Sequence, residues 1–166
     1  MDVAALLQDL FGRIDELVPS VVEGLDEDQL ATRPDGTGNP IGWLVWHLTR
    51  VEDDHLAGVA GTGQVWDDGW RERFALDLPP HDTGYGAGED EVVKVRASAE
   101  LLVGYHQAVA GAVRTYLAGL DAGALDRVVD ERWDPPVTLG VRLVSMAGDC
   151  LQHLGQAAYV RGLLGA

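Results

Sequence analysis

Asp149 and His153 stand four residues apart near the C-terminus, a spacing that can do chemistry. On a helix, such residues lie one above the other on one face, so a carboxylate and an imidazole there can chelate one metal ion. The same spacing equally suits a buried histidine paired with an acid, and a third ligand is what separates the two readings. His47 is the candidate for it. Trp43, Leu44, Arg50, Val51 and Asp54 lie three, four and seven residues from His47. They form a mainly apolar helical face, which predicts that the imidazole points inward. Ligands of type His, His and Asp leave coordination positions open, as in a catalytic rather than a structural site. Zinc suits this set best, and nickel, iron or manganese also fit. Both imidazoles must be neutral to bind, so affinity is expected to fall below about pH 6.

Other side chains have weaker claims. Glu52 and His55 have the Glu-x-x-His spacing of di-iron carboxylate proteins, but only one such motif occurs and two are needed. Glu52, Asp53, Asp54 and His55 are therefore expected to form a surface cluster. Asp54, on the face of His47, is a candidate for orienting that imidazole. His55 and His106 join it as possible proton-handling groups, and His81 is expected in solvent. Trp43, Trp66 and Trp70 are candidates for the walls of a pocket, although core packing accounts for large aromatics equally well. Arg50, Arg142 and Arg161 are candidates for binding an anionic group, with salt bridges to the many acids as the plainer alternative. Cys150 follows Asp149 but points about 100° round a helix, which predicts a core residue.

Four amphipathic helices must position these groups. Val3, Leu7, Leu10, Ile14, Leu17 and Val21 recur at steps of four and three and predict a first helix over residues 2–24. Asp2 is its cap, Gly24 its stop, and Pro19 a kink or an early end. A short helical turn and connector follow over 25–34. Asn39-Pro40 predicts the start of a second helix, with Asn as cap and Pro as first residue, ending near Gly58 or Gly61. Residues 61–97 hold Pro79-Pro80, Trp66 and Trp70, and read as a long irregular crossover. Segments of this length are usually functional or disordered. The tryptophans favour an ordered cover, within which a short helix fits. The third helix is expected over 98–119 and the fourth from a Thr138 cap to about Leu163. No convincing strand pattern interrupts them. The expected fold is all-α, a single domain over 1–166 built as a four-helix bundle.

Composition narrows the function. The formal net charge is -15, a field that repels phosphate backbones and anionic membranes, so neither nucleic acid nor membrane is an expected partner. The single cysteine rules out internal disulfides and cysteine-rich zinc modules. No run of eighteen apolar residues predicts a membrane span. The N-terminus lacks the basic start of a secretory signal, so a cytoplasmic location is expected.

The stretch Asn39-Pro-Ile-Gly-Trp43-Leu-Val-Trp46-His47-Leu, with the late Asp149-x-x-x-His153-x-Gly-Gln-x-x-Tyr-x-Arg161, resembles the DinB/YfiT-like metalloprotein superfamily. The similarity is strongest to its mycothiol-transferase-like branch, and it covers almost the whole chain, including the Arg33-Pro34 segment. It implies a four-helix bundle of DinB/YfiT type with a long crossover between helices 2 and 3, and one divalent metal held by His47, Asp149 and His153. Many members carry histidine where this chain has Asp149, a departure that bears on which metal binds. The resemblance further implies a thiol S-transferase acting on a small-molecule substrate, with mycothiol or a similar low-molecular-weight thiol as cosubstrate, and a homodimer. Two other readings stay open: a non-catalytic binding module on the same fold, and a metal-dependent hydrolase with its general base among Asp54, His55 and His106.

Overall fold

The computed structural model describes residues 1–165. Helix α1 (Val3–Val22) is capped by the Asp2 carboxylate, which accepts from the Ala5 N–H at 2.8 Å. It buries Leu7, Ile14 and Val21 of the expected stripe together with Phe11, Val18 and Val22, while Leu17 is exposed, so the buried face is turned toward the side of Phe11, Val18 and Val22. Pro19 does not end it. The buried Val18, Val21 and Val22 hold the last turn around the missing N–H, and the chain leaves through Gly24 at φ +75°. A one-turn helix α2 (Glu27–Leu30) follows, closed by a capping box between Asp26 and Gln29.

Helix α3 (Ile41–Ala60) starts one residue later than expected. Pro40, not Asn39, is the cap: its ψ of 158° is extended, and no side chain caps the turn. Gly42 allows this entry, because a Cβ there would stand 3.1 Å from the Leu30 carbonyl oxygen. Every residue of α3 from Ile41 to Asp53 is buried. One side of it meets α6 (Ala99–Ala118) and α7 (Leu139–Leu164). The 61–97 crossover covers the other side, and it contains the short helices α4 (Trp70–Phe74) and α5 (Glu89–Val92).

α1 likewise packs on α6 and α7, so the crossover joins two neighbours, α3 and α6. The crossover is ordered by specific bonds. Asp53 accepts the Val65 and Trp66 N–H groups, each at 2.8 Å, and the Trp66 indole donates to the Pro80 carbonyl at 2.8 Å.

The connector before α7 departs from expectation. It carries two short strands, β1 (Val128–Asp130) and β2 (Val137–Thr138), paired antiparallel with an irregularity between the two pairs. Strands this short show too few residues for a period-two pattern to be read from sequence. Thr138 then caps α7, as its sequence predicts. Among the described residues no helix is long and apolar enough to cross a membrane.

Candidate metal centre

His47 projects from the second turn of α3, and Asp149 and His153 from successive turns of the facing α7. Each of the three offers one donor atom, and these atoms lie within 4.8 Å of one another. The His153 Nε2 stands 3.6 Å from the Asp149 Oδ1. Metal–ligand bonds of about 2.1 Å in a tetrahedron set donor atoms about 3.4 Å apart, so small side-chain shifts would close the site on an ion.

Each imidazole is held by its other nitrogen. His47 Nδ1 lies 2.5 Å from the Thr83 carbonyl oxygen, and His153 Nδ1 lies 2.8 Å from the Gln156 Oε1. Both partners are acceptors, which places the proton on Nδ1 in each ring and leaves the Nε2 lone pair free for an ion. Trp43 stacks on His47 with centroids 4.6 Å apart, and the two histidine rings meet edge to face at 4.7 Å. Behind the site, Gly84 has φ +81°, and a Cβ there would lie 2.9 Å from Trp46 and 3.0 Å from the His47 Nδ1. The crossover backbone is thus seated directly on the ligand.

The charges fit a cation. Burial pushes the His47 pKa down, with the neighbouring His153 adding to the effect against the opposing Thr83 carbonyl. His153 moves the other way because the Asp149 carboxylate beside its Nε2 favours the protonated ring more than burial opposes it. Burial pushes Asp149 up, but its interactions with His153 and His47 prevail and bring it below its ordinary value. Asp149 Oδ2 is buried without a hydrogen-bond partner, a costly arrangement that an ion in the site would relieve. Orphaned oxygen, free lone pairs and donor chemistry together fit a divalent metal.

A cleft of about 470 Å³ opens beside Asp149, with Val51, Thr83, Arg142 and Ser145 among its walls. His55 lines it too, its pKa lowered by burial and by Arg142, whose Nη1 lies 3.4 Å from the His55 Nε2. Arg142 also donates to Asp130 at 3.0 Å. Both residues therefore belong to the cleft wall.

Several expected residues stand elsewhere. Asp54 lines the cleft but accepts from Gln64 and pairs with His55; the Thr83 carbonyl, not Asp54, orients His47. His106 is buried away from the cleft, 3.5 Å from Asp15 and 3.8 Å from Glu52. Arg50 is fully buried under the crossover. It donates to Asp82 O at 3.1 Å, Tyr105 Oη at 3.0 Å and Gln64 Oε1 at 2.8 Å, so no anionic ligand reaches it. Glu52 and Asp53 are buried rather than part of a surface cluster, because the crossover and the neighbouring helices cover them.

Trp43 shields His47 instead of lining the cleft, and Trp66 and Trp70 pack on Tyr105 with centroids at 5.2 and 5.6 Å. Among the described residues Arg161 donates only to the Val21 carbonyl, at 3.4 Å. His81 is exposed and Cys150 is buried, both as expected. Burial pushes the Cys150 thiol pKa well up, so this thiol is no nucleophile. Thr83, Gly84, Gln156 and Asp130 are the contributors that sequence reasoning missed. Thr83 acts through its backbone, Gln156 is a local signal three residues after His153 on the same helix, and Gly84 and Asp130 become meaningful only once the crossover and the hairpin are in place.

A family profile described as mycothiol-S-transferase matches residues 5–166. The crystal structure of a conserved protein from Enterococcus faecalis has a TM-score of 0.90 to this chain at 32% sequence identity, covering 100% of this chain and 99% of that one. No curated protein matches the sequence.

Proposed function

The chain belongs to the mycothiol-S-transferase family, and on that premise we propose that it is a metal-dependent thiol S-transferase built as one four-helix-bundle domain of DinB type. The observation that carries the reading is the convergence of His47, Asp149 and His153, with Asp149 in the wall of an open cleft. A bound divalent cation, zinc by the donor set, would lower the pKa of a small thiol such as mycothiol so that thiolate is present at neutral pH.

The chain's own residues do the rest. Thr83 and Gln156 hold the two imidazoles with Nε2 presented to the ion. His55, kept neutral by burial and by Arg142, is placed to accept a proton within the cleft. The cleft positions the electrophile against the thiol, and a positioned pair reacts far faster than one in free solution.

Elemental analysis together with mycothiol and a panel of electrophiles tests this reading. About one metal per chain and adducts above the metal-free control are expected. Both should be lost on replacing His47, Asp149 and His153 with alanine. Metal retained by that triple variant would refute the ligand assignment. Hydrolysis is the second reading, and it is favoured by the same neutral His55, which could equally take a proton from water; hydrolytic turnover without added thiol distinguishes it. The open cleft speaks against a purely non-catalytic module.

We further propose a cytoplasmic homodimer with no nucleic-acid or membrane partner. The outward face of α7 supports the dimer. Val141, Val144, Leu151 and Tyr159 are exposed along it, with Gly148, Gly155 and Gly162 recurring every seven residues.

A further inference from the structure

The cleft beside Asp149 reaches the β1–β2 hairpin, where two arginines meet on one carboxylate in a chain of net charge -15. Arg132 binds the Asp130 carboxylate through Nε at 2.9 Å and Nη2 at 2.8 Å, and Arg142 binds it through Nη2 at 3.0 Å. Asp130 is buried, so it holds both guanidiniums in place from behind. Two arginines share one carboxylate, which leaves one positive charge in excess. Asp54 and Asp149 also line the cleft, but each faces partners of its own, Asp54 meeting Gln64 and His55 and Asp149 meeting His153. Arg132 Nη1 and Arg142 Nε have no hydrogen bond among the described residues. Stability alone does not account for the pair. Arg132 is 85% exposed at its side chain, and an ion pair this open to water contributes little to folding. Trp133 and Tyr85 line the same cavity with most of their surface in solvent, 64% and 92% exposed. Exposed aromatic rings beside fixed guanidiniums suit a ligand with an apolar body and a planar anionic end.

We propose that Arg132 and Arg142 form a carboxylate subsite, so that one of the two reactants is a small carboxylic acid whose apolar part lies against Trp133 and Tyr85. This rests on the transferase reading only in assuming that reactants enter this cleft. The donors left over, Arg132 Nη1 and Arg142 Nε, can each give a hydrogen bond to one oxygen of a carboxylate, whereas a neutral amide leaves one of them unmatched. The acid is carried either by the electrophile or by the thiol.

Phenylacetate and its neutral counterpart phenylacetamide test the subsite directly. Each is titrated into the full chain, once zinc-loaded and once chelator-treated, by calorimetry and by NMR of the arginine Nε–H signals. The acid is expected to bind at least roughly tenfold more tightly than the amide in both forms, with the Arg142 Nε–H signal moving. Arg132→Gln and Arg142→Gln should each reduce that preference, and Arg132 lies in solvent, so its variant leaves the fold undisturbed. Equal binding of acid and amide overturns the proposal. So does a preference that survives both variants, or one confined to the zinc-loaded form, where the acid would sit on the ion instead.

Two matched pairs then locate the acid in turnover: iodoacetate against iodoacetamide as electrophile, and N-acetylcysteine against its amide as thiol. Arg142→Gln should raise KM for the acid member of one pair only. An unchanged KM for both acids rules out a role in substrate binding. Absence of any turnover removes the transferase reading, while the binding comparison still decides the subsite.

Discussion

His47 Nδ1 and the Thr83 carbonyl oxygen stand 2.5 Å apart across 36 residues of sequence. This bond makes the crossover an orienting element of the candidate metal centre, and Gly84 lets the backbone come that close. Gly84→Ala should force the two apart, because its Cβ would meet His47 and Trp46 and its φ of +81° disfavours alanine. Zinc affinity is expected to fall roughly 10–100-fold, as when an orienting partner of a metal ligand is lost. Competition with a chromophoric chelator measures it; an unaltered affinity would show that the clamp is dispensable.

Proton competition sets the pH dependence of metal binding. Asp149 raises the pKa of His153, which therefore keeps a competing proton to higher pH than an ordinary histidine. Affinity should decline as pH falls through the neutral range, with His153 giving way before the easily deprotonated His47. Asp149→Asn should lower the pH at which binding fails while weakening binding overall. Chelator competition between pH 5 and pH 8 gives the profile, and a flat one would contradict this account.

Glu52 ties stability to pH. It is fully buried, and among the described residues neither carboxylate oxygen has a hydrogen-bond partner. Burial raises its pKa from 4.5 to about 7, opposed by His106 and supported by Asp15 of α1 and Asp53 of its own helix, while Cys150 of α7 lies close by. The folded protein thus keeps a proton that the unfolded chain releases. The stability linked to this group is fully present below about pH 4.5 and is lost as pH rises to about 7. Glu52→Gln should remove that slope and stabilise the protein at pH 8 by an amount on the order of 3 kcal/mol. Urea unfolding at pH 5 and pH 8 checks it; an identical pH slope in the variant would rule Glu52 out as the source.

Arg50 is structural. Removing its guanidinium would strand Asp53, Tyr105 and Gln64 beneath the crossover. Arg50→Ala should cost about 3–5 kcal/mol, as for one partner taken from a buried ionic network. A loss under about 1 kcal/mol in urea unfolding would fall outside the range for such a network.

The glycine-studded outer face of α7 tests the proposed dimer. Val144 is 67% exposed, so a glutamate there costs the monomer little, whereas two copies across a two-fold interface would place like charges together. Val144→Glu should convert a dimer to a monomer by light scattering without lowering the melting temperature of the monomer. A wild-type protein that is itself monomeric would remove the dimer altogether.

Much of the candidate metal centre was legible in the sequence because helical periodicity is local. The apolar face around His47 and the four-residue step from Asp149 to His153 each follow from a few neighbours. The covering of one helix by a distant segment does not. Read alone, Glu52-Asp53-Asp54 looks like a solvated acidic run, and only the folded crossover shows Asp53 accepting the Val65 and Trp66 amides. Arg50 misled for the same reason. Thr83 left no trace because its carbonyl, common to all residues, makes the contact. The β1–β2 hairpin was too short to register, and with it went Asp130 and the arrangement of Arg132 around it.

The enclosure of α3 on every side from Ile41 to Asp53 has an evolutionary reading. A helix with no solvent-facing edge gives drift almost nowhere to act. In a saturation library, variants along this stretch would be depleted at Leu44 and Leu48 much as at His47. Intolerance to replacement is thus a poor guide to chemistry in this part of the molecule, and selection for activity has to be scored against selection for folding, position by position.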